Sequence, residues 1–527
     1  MRRVKNYFIL FLFLLVPAVV FSQTPQGGNH INLKHANTLK GDQRHGYQRL
    51  IGEVEFEQQG MILTCDSAHL FTVGDSVIAF SHVHIQQGDS INVFGDFLHY
   101  DGTTRKANLT KNVKLIDKDM TLTTDTVVYD LTEKIASYSS GGKIVNKQNT
   151  LTSKIGAYST ETKVLTFKKN VVLVNPEYVM KCDTLKYLPL SKTSYFLGPT
   201  TIKATNNSNL IYCENGFYDT NKDECQFEKN AYIITEDKTL KGDSIWYNRN
   251  MGLGKAFMNV EIIDTTQNMI IRGDYAVHNE ITDVSLVTGH ALFINAFEGD
   301  SLFLHADTLK SITLHDSTET KIKPKGKNKI KVIPDSLKTP PKRIVLAYHN
   351  VRFYKKDLQG KCDSLAWTSV DSTMRMYNDP VLWSGGNQLT ADNISIITSH
   401  GEIYQLKMVK NAFIISREDS SRFNQIKGKQ MTGYFQNNEL YKIFVEGNGQ
   451  TLYYAKDKDL IMGVNRADCS SLLIRINNKE VTSITFYNHP EATLYPPLDI
   501  SPKESLLKDF RWRDTEQPHS VKDLFLK

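Results

Sequence analysis

The feature that most limits what this chain can fold into is a frame of about thirty residues that recurs along most of its length. An acidic residue stands at Asp66, Asp96, Asp125, Asp183, Glu214, Asp243, Asp274, Asp307, Asp363, Asp392 and Asp468, with Lys154 and Lys429 at two further places in the same register. The first spacings between these thirteen frames are 30, 29, 29, 29, 31, 29 and 31 residues. Self-similarity of this kind marks one supersecondary unit stacked on itself, each copy too small to bury its apolar face alone. A chain of 527 residues is long for one compact domain, and a stacked array removes the difficulty.

Each position of the frame has a physical reading. The residue before the acid is always small, as in Cys65, Gly95, Ser153, Cys182, Cys213, Gly242 and Ala306. That points to a site crowded by a neighbouring backbone. Two places after the acid an apolar residue is usual (Leu98, Val127, Leu185, Ile245, Leu365), and four places after it stands Tyr100, Tyr129, Tyr158, Tyr187, Tyr218, Tyr247 or Trp367. This period of two predicts a strand. A second strand is expected to begin sixteen residues after the acid, at Asn112, Asn230, Asn259 and His290. Its apolar positions include Val113 with Leu115, Val171 with Leu173, and Val260 with Ile262. Tyr and Phe, 24 and 25 in number, suit half-buried strands. No amphipathic helix is expected between 45 and 490.

The ends and one insertion depart from the repeat. Residues 1–22 read as a signal peptide: Arg2, Arg3 and Lys5 precede an apolar run from Tyr7 to Phe21, and Val20 and Ser22 fit a cleavage site before Gln23. The mature chain is therefore expected outside the cytoplasm. A lead-in, 23–44, precedes the array at 45–495, and a tail, 496–527, follows it with Phe510, Trp512 and Phe525 as docking anchors. Between Asp307 and Asn350 the interval is 43 residues rather than 16, and the excess is a basic inserted loop at 316–341 with six lysines at alternate positions from Lys321 to Lys331. Its plain reading is a solvated loop. Formal charge is +6, half of it on the signal peptide's three cations, a balance too mild to imply nucleic acid.

The chemistry scan predicts a non-catalytic protein without metal or cofactor. His82 and His84 form the best metal-like pair, and two histidines without a third ligand read as strand residues. The acid column offers one carboxylate per repeat, too few for calcium, and reads as an acceptor for local hydrogen bonds. Five of the six cysteines occupy the small position or lie beside it, which suits buried thiols. Cys182 and Cys213, one repeat apart, are the pair to test for a disulfide.

Units of the form small-Asp-Ser/Thr-Leu-x-Tyr, then Asn-Val-x-Ile-x-Asp, then Leu-x-Gly-Asp resemble the OstA-like family of lipopolysaccharide-transport proteins. Within it the likeness is to the periplasmic LptA type and the N-terminal domain of the LptD type, from about Leu50 to Asn488. The resemblance implies an all-β, elongated open β-jellyroll built here from about thirteen two-strand repeats. It also implies an apolar groove for the lipid A acyl chains of lipopolysaccharide. The implied partners are other lipopolysaccharide-transport proteins, met end to end through edge strands, and the implied location is the periplasm, in association with the outer membrane. On the residues themselves, Val113, Leu115, Val171, Leu173, Val260, Ile262, Phe293 and Phe353 are expected to line the interior. Two other readings remain open from sequence: a cell-envelope scaffold whose interior is filled, and a parallel β-helix acting on polysaccharide.

Overall fold

The computed structural model describes residues 30–314 and 342–526, apart from positions 43, 90, 237, 267, 298–299, 400–401, 438, 458–459, 478–479 and 498. The expected signal peptide and basic inserted loop lie outside the described residues. The chain divides into two compact units, Met1–Thr162 and Lys163–Lys527. Among the described residues these hold twelve and twenty-two strands, with short 3-10 turns at Asp514–Glu516 and Val521–Phe525. The fold is all-β, of the open β-jellyroll type.

Most strands are longer than the pattern of alternation alone suggests, because they run through a bend. In Ile91–Asp101 the buried residues are Ile91, Val93 and Gly95 before the acid, then Leu98 and Tyr100 after it. The alternation slips by one at Asp96. Its partner Lys106–Asp117 buries Ala107 and Leu109, then Val113 and Leu115. The second strand therefore begins at Lys106, and Asn112 is its midpoint rather than its start. Both strands turn at their midpoints from one layer into the other, so the repeat builds two layers at once. A β-bulge makes the corner: Phe80 pairs with Phe97 and Val83 with Gly95, leaving Ser81 and His82 opposite the single residue Asp96.

The corner chemistry explains the frame. The two bulged residues adopt left-handed backbone, as at Lys111–Asn112 (φ 65° and 51°), Lys169–Asn170 (63° and 55°), Lys229–Asn230 (57° and 53°) and Lys410–Asn411 (61° and 49°). Asn tolerates this region better than most residues. Where a glycine replaces the first of the pair, as Gly289 (φ 71°), a Cβ would lie 2.7 Å from the Asp274 carboxylate. The small residue before the acid faces the first apolar residue after the bulge on the neighbouring strand: Gly95 meets Val83, Cys182 meets Val171, and Gly273 meets Val260. Crowding comes from the strand on the other side: a Cβ at Gly273 would lie 2.5 Å from Val287 Cγ1.

In the unit Lys163–Lys527 the tail packs on the outward face of the strands. Leu507, Phe510 and Trp512 join Phe413, Ile415, Leu452, Tyr454 and Val464 in one apolar cluster. Two glutamines clip its backbone. Gln425 donates to the Ser505 carbonyl at 2.9 Å and accepts from the Leu507 amide at 2.8 Å. Gln388 does the same with the Arg511 carbonyl (2.7 Å) and the Arg513 amide (2.6 Å). Phe525 ends against His305, ring centroids 4.6 Å apart.

Candidate functional site

The acid column serves the corner. Asn112 donates to Asp96 at 2.6 Å, Asn230 to Glu214 at 2.8 Å, Asn259 to Asp243 at 3.0 Å, Asn350 to Asp307 at 2.9 Å and Asn411 to Asp392 at 3.0 Å. His82 and His290 take the same place toward Asp66 (2.7 Å) and Asp274 (2.8 Å) through Nδ1. Sequence reasoning missed this partner. The sixteen-residue step from acid to Asn or His, kept in five of these seven pairs, was the signal that could have found it.

Inside the layers, the register sets apolar side chains directly opposite one another across consecutive strands. In the unit Met1–Thr162, Phe56 faces Leu63, Leu63 faces Ile85, Ile85 faces Val93, Val93 faces Leu115 and Leu115 faces Leu122. In the unit Lys163–Lys527, Leu173 faces Met180, followed by Ile202, Ile211, Ile233, Leu240, Ile262, Ile271, Phe293, Leu304 and Phe353. This row crosses eleven strands, or about 48 Å at about 4.8 Å per strand. A second row, close to the bend on the other layer, faces it: Phe167, Leu185, Phe196, Phe227 and Ile245 are all buried.

The two units treat the first row differently. Phe56, Leu63, Ile85, Val93 and Leu115 are each 1% exposed. In the second unit Leu173, Ile202, Ile211, Ile233, Leu240, Ile262, Ile271 and Phe293 are only half-buried, Met180 among them is buried, and burial returns at Leu304 and Phe353. Of the interior residues expected from sequence, Leu115, Leu173, Ile262, Phe293 and Phe353 lie in the row itself. Val113, Val171 and Val260 sit one pleat deeper, beside the bend, all buried. The stretch 165–314 thus forms a slot with a closed floor and a half-open, apolar mouth.

Tyrosines account for the difference. In the first unit they reach across the mouth to the opposite layer: the Tyr100 hydroxyl donates to Gln58, Tyr129 to Gln87 and Tyr158 to Asp117. Burial raises all three phenols above their ordinary range. In the second unit Tyr218 turns to Asp223 of its own hairpin at 2.8 Å and Tyr247 to Glu280 at 3.0 Å. Burial, then the carboxylate, pushes each up to about 12. These rings line one side of the mouth without crossing it.

Reactive chemistry is muted. Cys65, Cys182, Cys213 and Cys362 are free, buried thiols that burial pushes up to about 12. The Cys182–Cys213 pair is not a disulfide: the strand Thr193–Ala204 separates the strands that carry them. Two strand spacings place their backbones about 10 Å apart, beyond bridging range. His84 stacks on Phe94, with centroids 4.5 Å apart, and meets Asn92 at 2.9 Å. Among the described residues no group of three or more His, Cys, Asp or Glu could hold a metal ion. No helix among them is long and apolar enough to cross a membrane.

Residues 28–183 match the family model described as OstA-like protein. No curated protein matches the chain. Among solved structures, one match is LptH, described as the LptA homologous periplasmic component of the conserved lipopolysaccharide transport device from Pseudomonas aeruginosa. It is 12% identical, covers 27% of this chain and 96% of its own, and has a TM-score of 0.20.

Proposed function

We propose that this chain, an OstA-like protein across residues 28–183, is exported to the periplasm and serves lipopolysaccharide transport by holding acyl chains in the slot at 165–314. One observation carries the reading: an unbroken row of directly opposed aliphatic and aromatic side chains whose members from Leu173 to Phe293 are mostly left half-buried. Fully burying such a side chain is worth roughly 1.5–3 kcal/mol, and each acyl methylene roughly 0.8 kcal/mol. Eight half-buried positions therefore hold about 1 kcal/mol each of burial that a lipid chain completes. The tyrosine side of the mouth supplies hydroxyls where a chain meets its polar head. Strands at the ends of the array have unpaired edges, which suits end-to-end contact with other transport proteins.

The filled interior of the unit Met1–Thr162 favours a second role for that unit, a scaffold that does not take lipid itself. Photo-crosslinking to lipopolysaccharide in cells separates the two. A photoreactive residue at Leu173, Ile262 or Phe293 is expected to label lipid, one at Leu115 or Phe353 to label weakly, and one at the outward Lys181 not at all. A folded, exported protein without label at the first three positions would make the whole chain a scaffold.

A further inference from the structure

The outward face of the layer that holds Ile262 carries a row which the tail covers only in part. Register sets Gln425, Ile415, Gln388, Trp383 and Gln359 directly opposite one another on consecutive strands. The tail lies along them as far as Gln517, which donates to Gln359 at 2.8 Å. It then crosses toward the corner, where Arg352 donates to the Asp523 carbonyl at 3.1 Å and Phe525 meets His305. The row itself runs on through Tyr354 to Phe303, Ile294, Ile270, Ile263, Ile234 and Leu210, with Thr239 its single polar member. All are half-buried. The matching outward row of the unit Met1–Thr162 is mixed: Glu57, Ile62, Gln86, Asn92, Ile116 and Thr121.

Scattered apolar residues on a surface are ordinary, whereas a contiguous apolar row marks a contact. What this row takes is shown by what covers its continuation, an extended stretch of polypeptide. Under the tail, long cations of the same face hold backbone: Lys427 donates to the Lys508 carbonyl at 2.8 Å and Arg466 to the Glu504 carbonyl at 2.7 Å, as Arg352 does to Asp523. Beside the apolar row stand Lys241 and Arg272, in the register position of Arg352. They share Glu261 at 2.8 and 2.9 Å and carry more N–H donors than that carboxylate uses. The corner acids Asp243 and Asp274 lie two residues along the same strands, so the face has no marked net charge. Its donors suit the neutral carbonyls of a backbone.

Size separates the candidate occupants. From Leu210 to Phe303 the row crosses six strand spacings, about 29 Å, the reach of about nine extended residues. Two side chains wide, or about 13 Å, it offers a second copy of this chain about 400 Å², short of the about 600 Å² per partner at the low end of stable interfaces. A flat partner must also clear the step that Phe525 makes on His305, while an extended segment lies end to end with the tail.

We propose that this row docks an extended segment of a partner protein, about nine residues long, laid across the strands as the tail is laid across its own. Its apolar side chains rest on the row and its backbone carbonyls accept from Lys241 and Arg272. The inference does not depend on what the slot carries.

Photo-crosslinking of the full-length protein in cells tests it, with a photoreactive residue at Leu210 or at Ile294 and the adduct peptides sequenced. Both positions are expected to label one partner protein, at two points of a single segment about seven residues apart, since five strand spacings separate them. Ile270→Asp, between the two, should lower both adducts about tenfold, and the milder Ile270→Thr about threefold at an unchanged unfolding midpoint. Lys241→Ala with Arg272→Ala should also lower them about threefold. Ile262→Asp, facing the slot, should label as wild type, and a photoreactive residue at Lys186, outward on the other layer, should not give this adduct. Adducts with a second copy of this chain, with lipid alone, or with unrelated segments of many proteins overturn the proposal. So do the absence of any adduct and labelling that both Ile270 variants leave as strong as wild type.

Discussion

Residues 30–162 and 165–314 are built from one frame yet end with different interiors. Both bend each strand at the same bulge, set a small residue opposite the first apolar position, and align an aliphatic row across successive strands. In the first, the row is sealed; in the second, it is half-open. The repeat therefore determines the layers and the bend, while a few long side chains decide whether the space between layers is filled. Tyr100, Tyr129 and Tyr158 reach over to Gln58, Gln87 and Asp117 and close the mouth. Tyr218 and Tyr247 bond along their own edge and leave it open.

A carboxylate placed in each row should break this comparison most sharply. Leu115→Asp buries an unpaired charge in a sealed interior and should cost about 3–5 kcal/mol, read as a lowered denaturant midpoint. Ile262→Asp can reach solvent through the mouth and should cost about 1–2 kcal/mol, while abolishing lipid crosslinking at Phe293, two strands along the row. Equal destabilisation by the two would mean that the second interior is as closed as the first.

Truncation should give the same contrast at smaller size. Phe56→Ala removes a ring 1% exposed and should cost about 3–5 kcal/mol, as large-to-small core changes do. Phe293→Ala starts half-buried and should cost about 1–2 kcal/mol. Its larger effect should be on lipid capture. The tyrosine ties come next: Tyr129→Phe should lose about 1–2 kcal/mol with its cross-layer hydrogen bond and speed hydrogen exchange in the strands on both sides of the mouth. Tyr218→Phe, whose bond stays within one hairpin, should change stability by less than about 0.5 kcal/mol.

Much of this was legible in the sequence, because strands and stacking follow from local alternation and a constant period. The inward assignment of Leu173 and Ile262 needs only the step of two from the bulge. What was not legible depends on contacts between layers. Gln58 and Tyr100 are 42 residues apart, and nothing in either segment marks which tyrosine will cross and which will turn aside. The tail was legible only as a set of aromatic anchors. Its clips, Gln388 and Gln425, lie 80 or more residues from the backbone they hold.

The tail sharpens the comparison from a third side, since the stretch behind Phe353 carries an added layer on its outward face. Glu516 bonds to Arg513 through both oxygens at 2.7 Å, and Lys361 approaches at 2.6 Å. These cations hold its carboxyl at about 2, below the ordinary 4.5. A depressed carboxylate stabilises the docked tail above its ordinary value, and that stabilisation fades as pH falls from 4.5 toward about 2. Hydrogen exchange at the Leu507 and Arg513 amides, which donate to Gln425 and Gln388, should therefore rise above its intrinsic pH dependence in that window. Glu516→Gln should raise it at neutral pH and flatten the acid response. Because this clasp holds Lys361 and Asp379, both beyond the stretch 165–314, lipid labelling at Ile262 should be the same in Glu516→Gln as in wild type. A loss of label there would show that the clasp shapes the slot as well as the outward face it covers.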